Sequence, residues 1–184
     1  MAGVEVDTIH IARDGRDAAV SAVHHSWNFG KSRKKNAGTP VSDLRGRERP
    51  ARACSREAPS RRWRAEWGER VGRTVEDGPV LLGSNYAEVR YEDLLQRPEE
   101  EMARLLTFLG AGTDEEVVKR CVSAASFERL SKGRKRGEED QSSFFRKGVA
   151  GDWRNVFTEE DRHIFKREAG GLLIKLSYEK SDDW

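Results

Sequence analysis

A strand that runs into a helix through an Asp-Gly turn constrains this chain most. Val4, Val6, Thr8 and His10 alternate with Glu5 and Asp7, and Ile9 and Ile11 add apolar weight, so Val4–Ala12 reads as a short strand. Asp14-Gly15 turns the backbone and Ala18–Trp27 follows as a helix. A strand delivered into a helix start leaves unpaired N–H groups facing whatever lies beyond the strand end, which is a natural anion site. Asp17 and Ser21 fall one turn apart on one face of that helix.

The rest of the chain repeats the alternation. Arg61–Val71 reads as a helix with Trp63 and Trp67 at i, i+4, and Gly78-Pro79 reads as a break before a strand region at Leu81–Tyr91. Pro98 opens a helix with Glu99, Glu100 and Glu101 at its positive end. Met102, Leu105, Leu106 and Leu109 form its core stripe and Gly110 ends it. Thr113 with Glu116 matches a capping box for a helix to about Ala124, Lys132–Gln141 is a charged loop, and Thr158-Glu159-Glu160-Asp161 starts a last helix to about Ala169. Strands separated by helices predict an α/β domain with parallel pairing. A chain of 184 residues has room for one domain.

Charge is unevenly placed. Between Lys31 and Arg73 there are 14 Lys/Arg against 5 Asp/Glu, an excess of +9 that the remainder offsets with −7 to reach the net +2. Asn28–Ser60 lacks hydrophobic period and reads as a mobile basic lid or disordered insertion favouring acidic acceptors. A nucleic-acid role for Lys31–Arg73 and Lys132–Arg136 has no base-reading fold behind it. Gly30-Lys31-Ser32 is not a Walker loop, because His25 stands where its first glycine belongs. His24 and His25 are adjacent and so face different sides of a helix. Cys54 and Cys121 have no metal-ligand spacing and read as reduced thiols, no metal is implied, and no apolar run approaches the roughly 20 residues that span a bilayer. The N-terminus has no signal-peptide pattern, so a cytoplasmic protein without a membrane partner is expected.

Phe144-Phe145-Arg146-Lys147-Gly148 followed by Gly151-Asp152-Trp153 carries the most specific chemistry. Arg146 can grip a phosphate through two parallel N–H bonds, Lys147 adds a compact charge, and Gly148 lets backbone approach an anion. This run resembles the 3′-phosphoadenosine-binding loop of the cytosolic sulfotransferase family. Thr8–Asp17 with Ser21 is similar to that family's strand-Arg-x-x-x-Asp-x-x-x-Ser element, and Tyr86–Leu94 to its strand ending in Tyr-Glu-Asp-Leu. The resemblance implies a partial P-loop-like sulfotransferase fold, a parallel sheet flanked by helices, without the N-terminal phosphosulfate-loop strand.

It also implies 3′-phosphoadenosine 5′-phosphosulfate as cosubstrate and transfer of its sulfuryl group to a hydroxyl or amine acceptor, small-molecule or other. Arg13, Ser21, Arg146, Lys147 and Gly148 would hold the 3′-phosphate; Tyr91, Phe127 and Phe145 would frame the adenine. The family often has Thr where Ala125 stands, and Asp152 and Trp153 would lock the loop structurally. Of the family's short dimer element only Thr158 agrees, with Arg154, Glu159 and His163 at its other positions, so a homodimer of that kind is poorly matched. No Pro-Lys-Ser-Gly-Thr-Thr-Trp type loop and no strand with the family's catalytic His occurs, so the catalytic residue is unassigned. The chain therefore reads as one N-terminally truncated sulfotransferase domain over 1–184. The other expectation is a non-catalytic nucleotide-binding remnant or a regulator of a full-length relative.

Overall fold

The computed structural model describes residues 6–36 and 60–184. Their packing divides into two compact units, the first from residues 6–14 and 69–150, the second from 15–36, 60–68 and 151–184.

The first unit is built on two parallel strands, β1 (Thr8–Ala12) and β2 (Tyr86–Arg90), paired in register from Thr8 against Tyr86 to Ala12 against Arg90. Alternation on β2 buries Ala87 and Val89 on one face, where Leu105 completes a small core with Ile9, Leu94 and Phe108 packed on it. The other face carries a polar cluster. His10 Nδ1 lies 3.1 Å from the Tyr86 hydroxyl and 3.5 Å from a Glu88 carboxylate oxygen, and the Tyr86 hydroxyl donates to Thr74 O at 3.3 Å. Burial first, and Glu88 second, push the Tyr86 hydroxyl up to about 12.

Helices α1 (Gly15–Asn36) and α2 (Ser60–Leu82) differ from expectation in length. α1 continues to Asn36, into the span expected to be irregular, while residues 37–59, the bulk of the expected basic lid together with Cys54, lie outside the described residues. α2 runs through Gly78-Pro79, which read as a break. Tertiary contact overrides local propensity there: a Cβ on Gly78 would fall 2.7 Å from Tyr86 Cζ, so the missing side chain is what lets the ring pack on the helix. The strand region consequently shortens to β2. Tyr91 instead opens α3 (Tyr91–Gln96), whose start is held by Arg90 donating to both carboxylate oxygens of Asp93 at 2.7 and 3.0 Å.

α4 (Pro98–Phe108) carries Pro98 in its first turn and buries Leu105, as its period requires. Leu109 is the C-cap residue and is 46% exposed, so Phe108 takes the last core position instead. α5 (Glu115–Ala124) starts from Asp114 without a side-chain cap, so the Thr113–Glu116 capping box does not form: the chain enters the helix one residue later than that spacing needs. α6 (Phe127–Leu130) is a single turn capped by Ser126, whose hydroxyl accepts from Arg129 N.

In the second unit an aromatic chain packs α7 (Glu159–Lys175), with Trp67 against Phe165, Phe165 against Phe157, and Phe157 against Trp153, at 5.7–6.0 Å between rings. α7 starts at Thr158 as expected, where Thr158 and Asp161 form a capping box, and it extends past Ala169 to Lys175. Ala169, Gly170 and Leu173 are all buried, and that burial carries the helix through Gly170-Gly171 despite their low propensity. The Thr158 hydroxyl is thus engaged inside its own helix start.

Candidate nucleotide-binding site

Because β1 and β2 are parallel and in register, their carboxyl ends coincide, and the next residues, Arg13 and Tyr91, emerge side by side. The Arg13 guanidinium stacks over the Tyr91 ring at 4.7 Å from its centroid. Its Nε is buried and has no hydrogen-bond partner among the described residues. The neighbouring Asp14 N donates to Glu92 Oε1 at 3.1 Å, so that carboxylate is occupied with backbone at the turn. Ligands of parallel sheets bind outside the carboxyl ends of strands. A half-buried cation with an unsatisfied N–H at that place suits an anion.

The same unit holds the basic loop. Gly148 has φ +65°, and a Cβ there would fall 2.6–2.7 Å from the Cε2 and Cγ of the buried Phe127, so bare backbone lies on the ring. This is a cradle that only glycine leaves open. Arg146 pairs with Glu139 at 2.9 Å, and Phe145 packs edge-on against the exposed Phe144 at 5.2 Å between rings. Arg136 Nη1 donates to Leu95 O at 2.8 Å, tying the loop to α3, the helix that begins at Tyr91. Arg13, Tyr91, Phe127, Phe145, Arg146, Lys147 and Gly148 therefore all belong to the first unit. Ser21 is on α1 in the second unit, where it is half-buried.

The loop's interior support was not legible beforehand. Arg134, unremarkable within a charged loop, donates from Nη1 to Glu138 O and Arg146 O, both 3.0 Å, and from Nη2 to Ser143 Oγ at 3.0 Å and Phe145 O at 2.5 Å. Asp140 adds a turn by accepting from Ser142 N and Oγ at 2.9 and 2.7 Å, and these bonds hold its carboxyl below the usual range.

In the second unit Gly151-Asp152-Trp153 is structural. The Asp17 carboxylate, 2% exposed, accepts from Gly151 N at 2.5 Å and Trp153 N at 2.9 Å. Arg16 is fully buried, pairs with Glu179 and lies over Trp153 and Trp184 at 3.9 and 4.4 Å. The Asp17 role had a partial signal in its spacing from Ser21; the Arg16 role, dependent on Trp184 at the other end of the chain, had none.

With this geometry in hand, comparison with known proteins assigns the family. Residues 5–173 match the sulfotransferase domain, and the chain belongs to that family. Sulfotransferase 1C2 of Rattus norvegicus is 33% identical over 102 residues, covering 48% of this chain and 34% of that protein. Sulfotransferase 1A1 of Bos taurus is 28% identical over 191 residues, covering 95% of this chain and 59% of its own length. The chain thus spans between about a third and three fifths of these relatives. Among solved structures, retinol dehydratase with androsterone and the inactive cofactor PAP superposes with a TM-score of 0.59 at 22% identity, over 90% of this chain and 46% of that one. A mouse sulfotransferase complexed with PAP gives 0.58 at 18% identity, over 95% and 60%. These likenesses establish the fold as part of the α/β sulfotransferase architecture. No helix among the described residues is long and apolar enough to cross a membrane.

Proposed function

We propose that this chain supplies the 3′-phosphate and adenine half of a site for 3′-phosphoadenosine 5′-phosphosulfate in a sulfotransferase that acts on a hydroxyl or amine acceptor. The observation that carries the reading is the Arg13–Tyr91 pair at the joint carboxyl ends of β1 and β2, with Arg13 Nε buried and unsatisfied. The residues fit the group. Arg13, Arg146 and Lys147 offer charge, Gly148 offers backbone, and Tyr91, Phe127 and Phe145 offer ring faces to a purine.

When bound, the cosubstrate supplies the sulfuryl group. The residues of this chain hold and orient the nucleotide, and positioning of this kind lowers the barrier to displacement by fixing the donor before the acceptor arrives. No residue here is assigned as the base, because the chain contains neither a phosphosulfate loop nor the family's catalytic-histidine strand. A second reading is a nucleotide-binding protein without transfer. A radiolabelled-sulfate assay on residues 1–184 is expected to show binding without robust turnover; turnover on adding a segment that bears both elements supports the first reading, and its continued absence supports the second.

The site itself is tested by calorimetry. 3′-Phosphoadenosine 5′-phosphate should bind more tightly than AMP, and Arg146→Ala should cost about tenfold or more, from the roughly 1.5–3 kcal/mol typical of a charge-assisted contact. Equal affinity for the two nucleotides refutes the assignment.

A further inference from the structure

Resting on that reading of the basic loop, we propose that Arg134 is its positioning residue: the guanidinium clasps the backbone of Phe145 and Arg146 so that the loop's N–H groups are set for the 3′-phosphate. Three consecutive carbonyls, of Phe145, Arg146 and Lys147, are each held from the same facing segment. Arg134 Nη2 and Nη1 take the first two, Asp140 N takes Arg146 O again at 2.9 Å, and Gly137 N takes Lys147 O at 2.8 Å. Every peptide bond among the described residues is trans. In a trans peptide the C=O of one residue and the N–H of the next point in opposite directions. Turning those three carbonyls toward residues 134–140 therefore turns the N–H groups of Arg146, Lys147 and Gly148 the other way. Consecutive amides on one side, ending at a residue of positive φ, make an anion-binding concavity, and Gly148 has that conformation at +65°.

Arg134 does not serve as a phosphate ligand in this arrangement. Its four terminal N–H bonds match four acceptors, Glu138 O, Arg146 O, Ser143 Oγ and Phe145 O. The same guanidinium lies 5.4 Å from the centroid of Phe127, the ring on which Gly148 rests. One side chain thus fixes the loop and touches the ring proposed to frame the adenine. Lysine cannot replace it, because one ammonium has no planar fork with which to bridge two carbonyls and a hydroxyl.

The experiment compares wild type, Arg134→Ala and Arg134→Lys for binding of 3′-phosphoadenosine 5′-phosphate and of AMP, with thermal unfolding of each. Arg134→Ala should weaken the bisphosphate by about tenfold or more while changing AMP by less than about twofold, so that the 3′-phosphate preference collapses. Arg134→Lys should restore less than half of that preference on a logarithmic scale. In an Arg146→Ala background the Arg134→Ala effect should shrink, since a residue that acts through the loop is coupled to it. A wild type that does not distinguish the two nucleotides overturns the site reading itself. A wild type that does, with the preference intact in Arg134→Ala or fully restored by lysine, overturns the clasp alone. Should the alanine variant unfold, the lysine variant decides, and its retaining full preference refutes the proposal.

Discussion

Gly148→Ala separates two costs that are usually confounded. The residue has φ +65°, and its Cβ would meet the Phe127 ring at 2.6–2.7 Å from two atoms, with Cδ2 closer still. Holding a non-glycine residue in the left-handed region costs about 1–2 kcal/mol. Forcing a methyl group into a buried ring adds an overpacking cost of about 1–3 kcal/mol. The sum is about 2–5 kcal/mol. Gly110, which follows the C-cap of α4, is a matched control: its φ is +66° and nothing lies within 4 Å of an added Cβ. Gly110→Ala should show only the backbone cost. Urea unfolding of both variants should therefore place Gly148→Ala lower by about 1–3 kcal/mol. Binding of 3′-phosphoadenosine 5′-phosphate should be normal in the Gly110 variant and at least about tenfold weaker in the other, because the loop must leave the ring. Equal destabilisation by the two substitutions, or nucleotide binding untouched by Gly148→Ala, would refute the close approach of backbone to Phe127.

Three other outcomes follow from the same geometry. Glu139 competes with an incoming phosphate for Arg146, so Glu139→Gln should tighten bisphosphate binding by up to about fivefold, the range of a partly exposed ion pair, and calorimetry finding weaker binding would reverse that role. Asp17→Ala removes a buried acceptor for two backbone N–H groups and should lower stability by about 3 kcal/mol or more in denaturant titration, with a loss under 1 kcal/mol counting against it. Tyr86 has its hydroxyl raised from 10.0 to about 12, so the folded state holds this proton more tightly than the unfolded chain. Its contribution is complete below pH 10 and disappears as pH climbs from there toward 12, and Tyr86→Phe should flatten the alkaline fall in thermal stability over that window.

Local chemistry alone determined a good deal. The β1-turn-α1 unit, the Pro98 helix start and the start of the last helix at Thr158 were all legible, because each depends on residues within a few positions of one another. Arg13 and Tyr91 each read as lying at a strand end, but that they stack on one another was decided by the parallel pairing of β1 with β2. Tertiary structure decided the rest. Whether Gly78-Pro79 breaks a helix depends on a ring eight residues downstream, and whether Leu109 or Phe108 faces the core depends on where α4 stops against β2. Arg16 is fully buried only because Trp153, Glu179 and Trp184 arrive from the other end of the chain. Arg134 looked like one more solvated charge until the loop closed over it and supplied four acceptors. A cation's role is set by which acceptors surround it, and in these cases they come from residues that no local spacing relates to it.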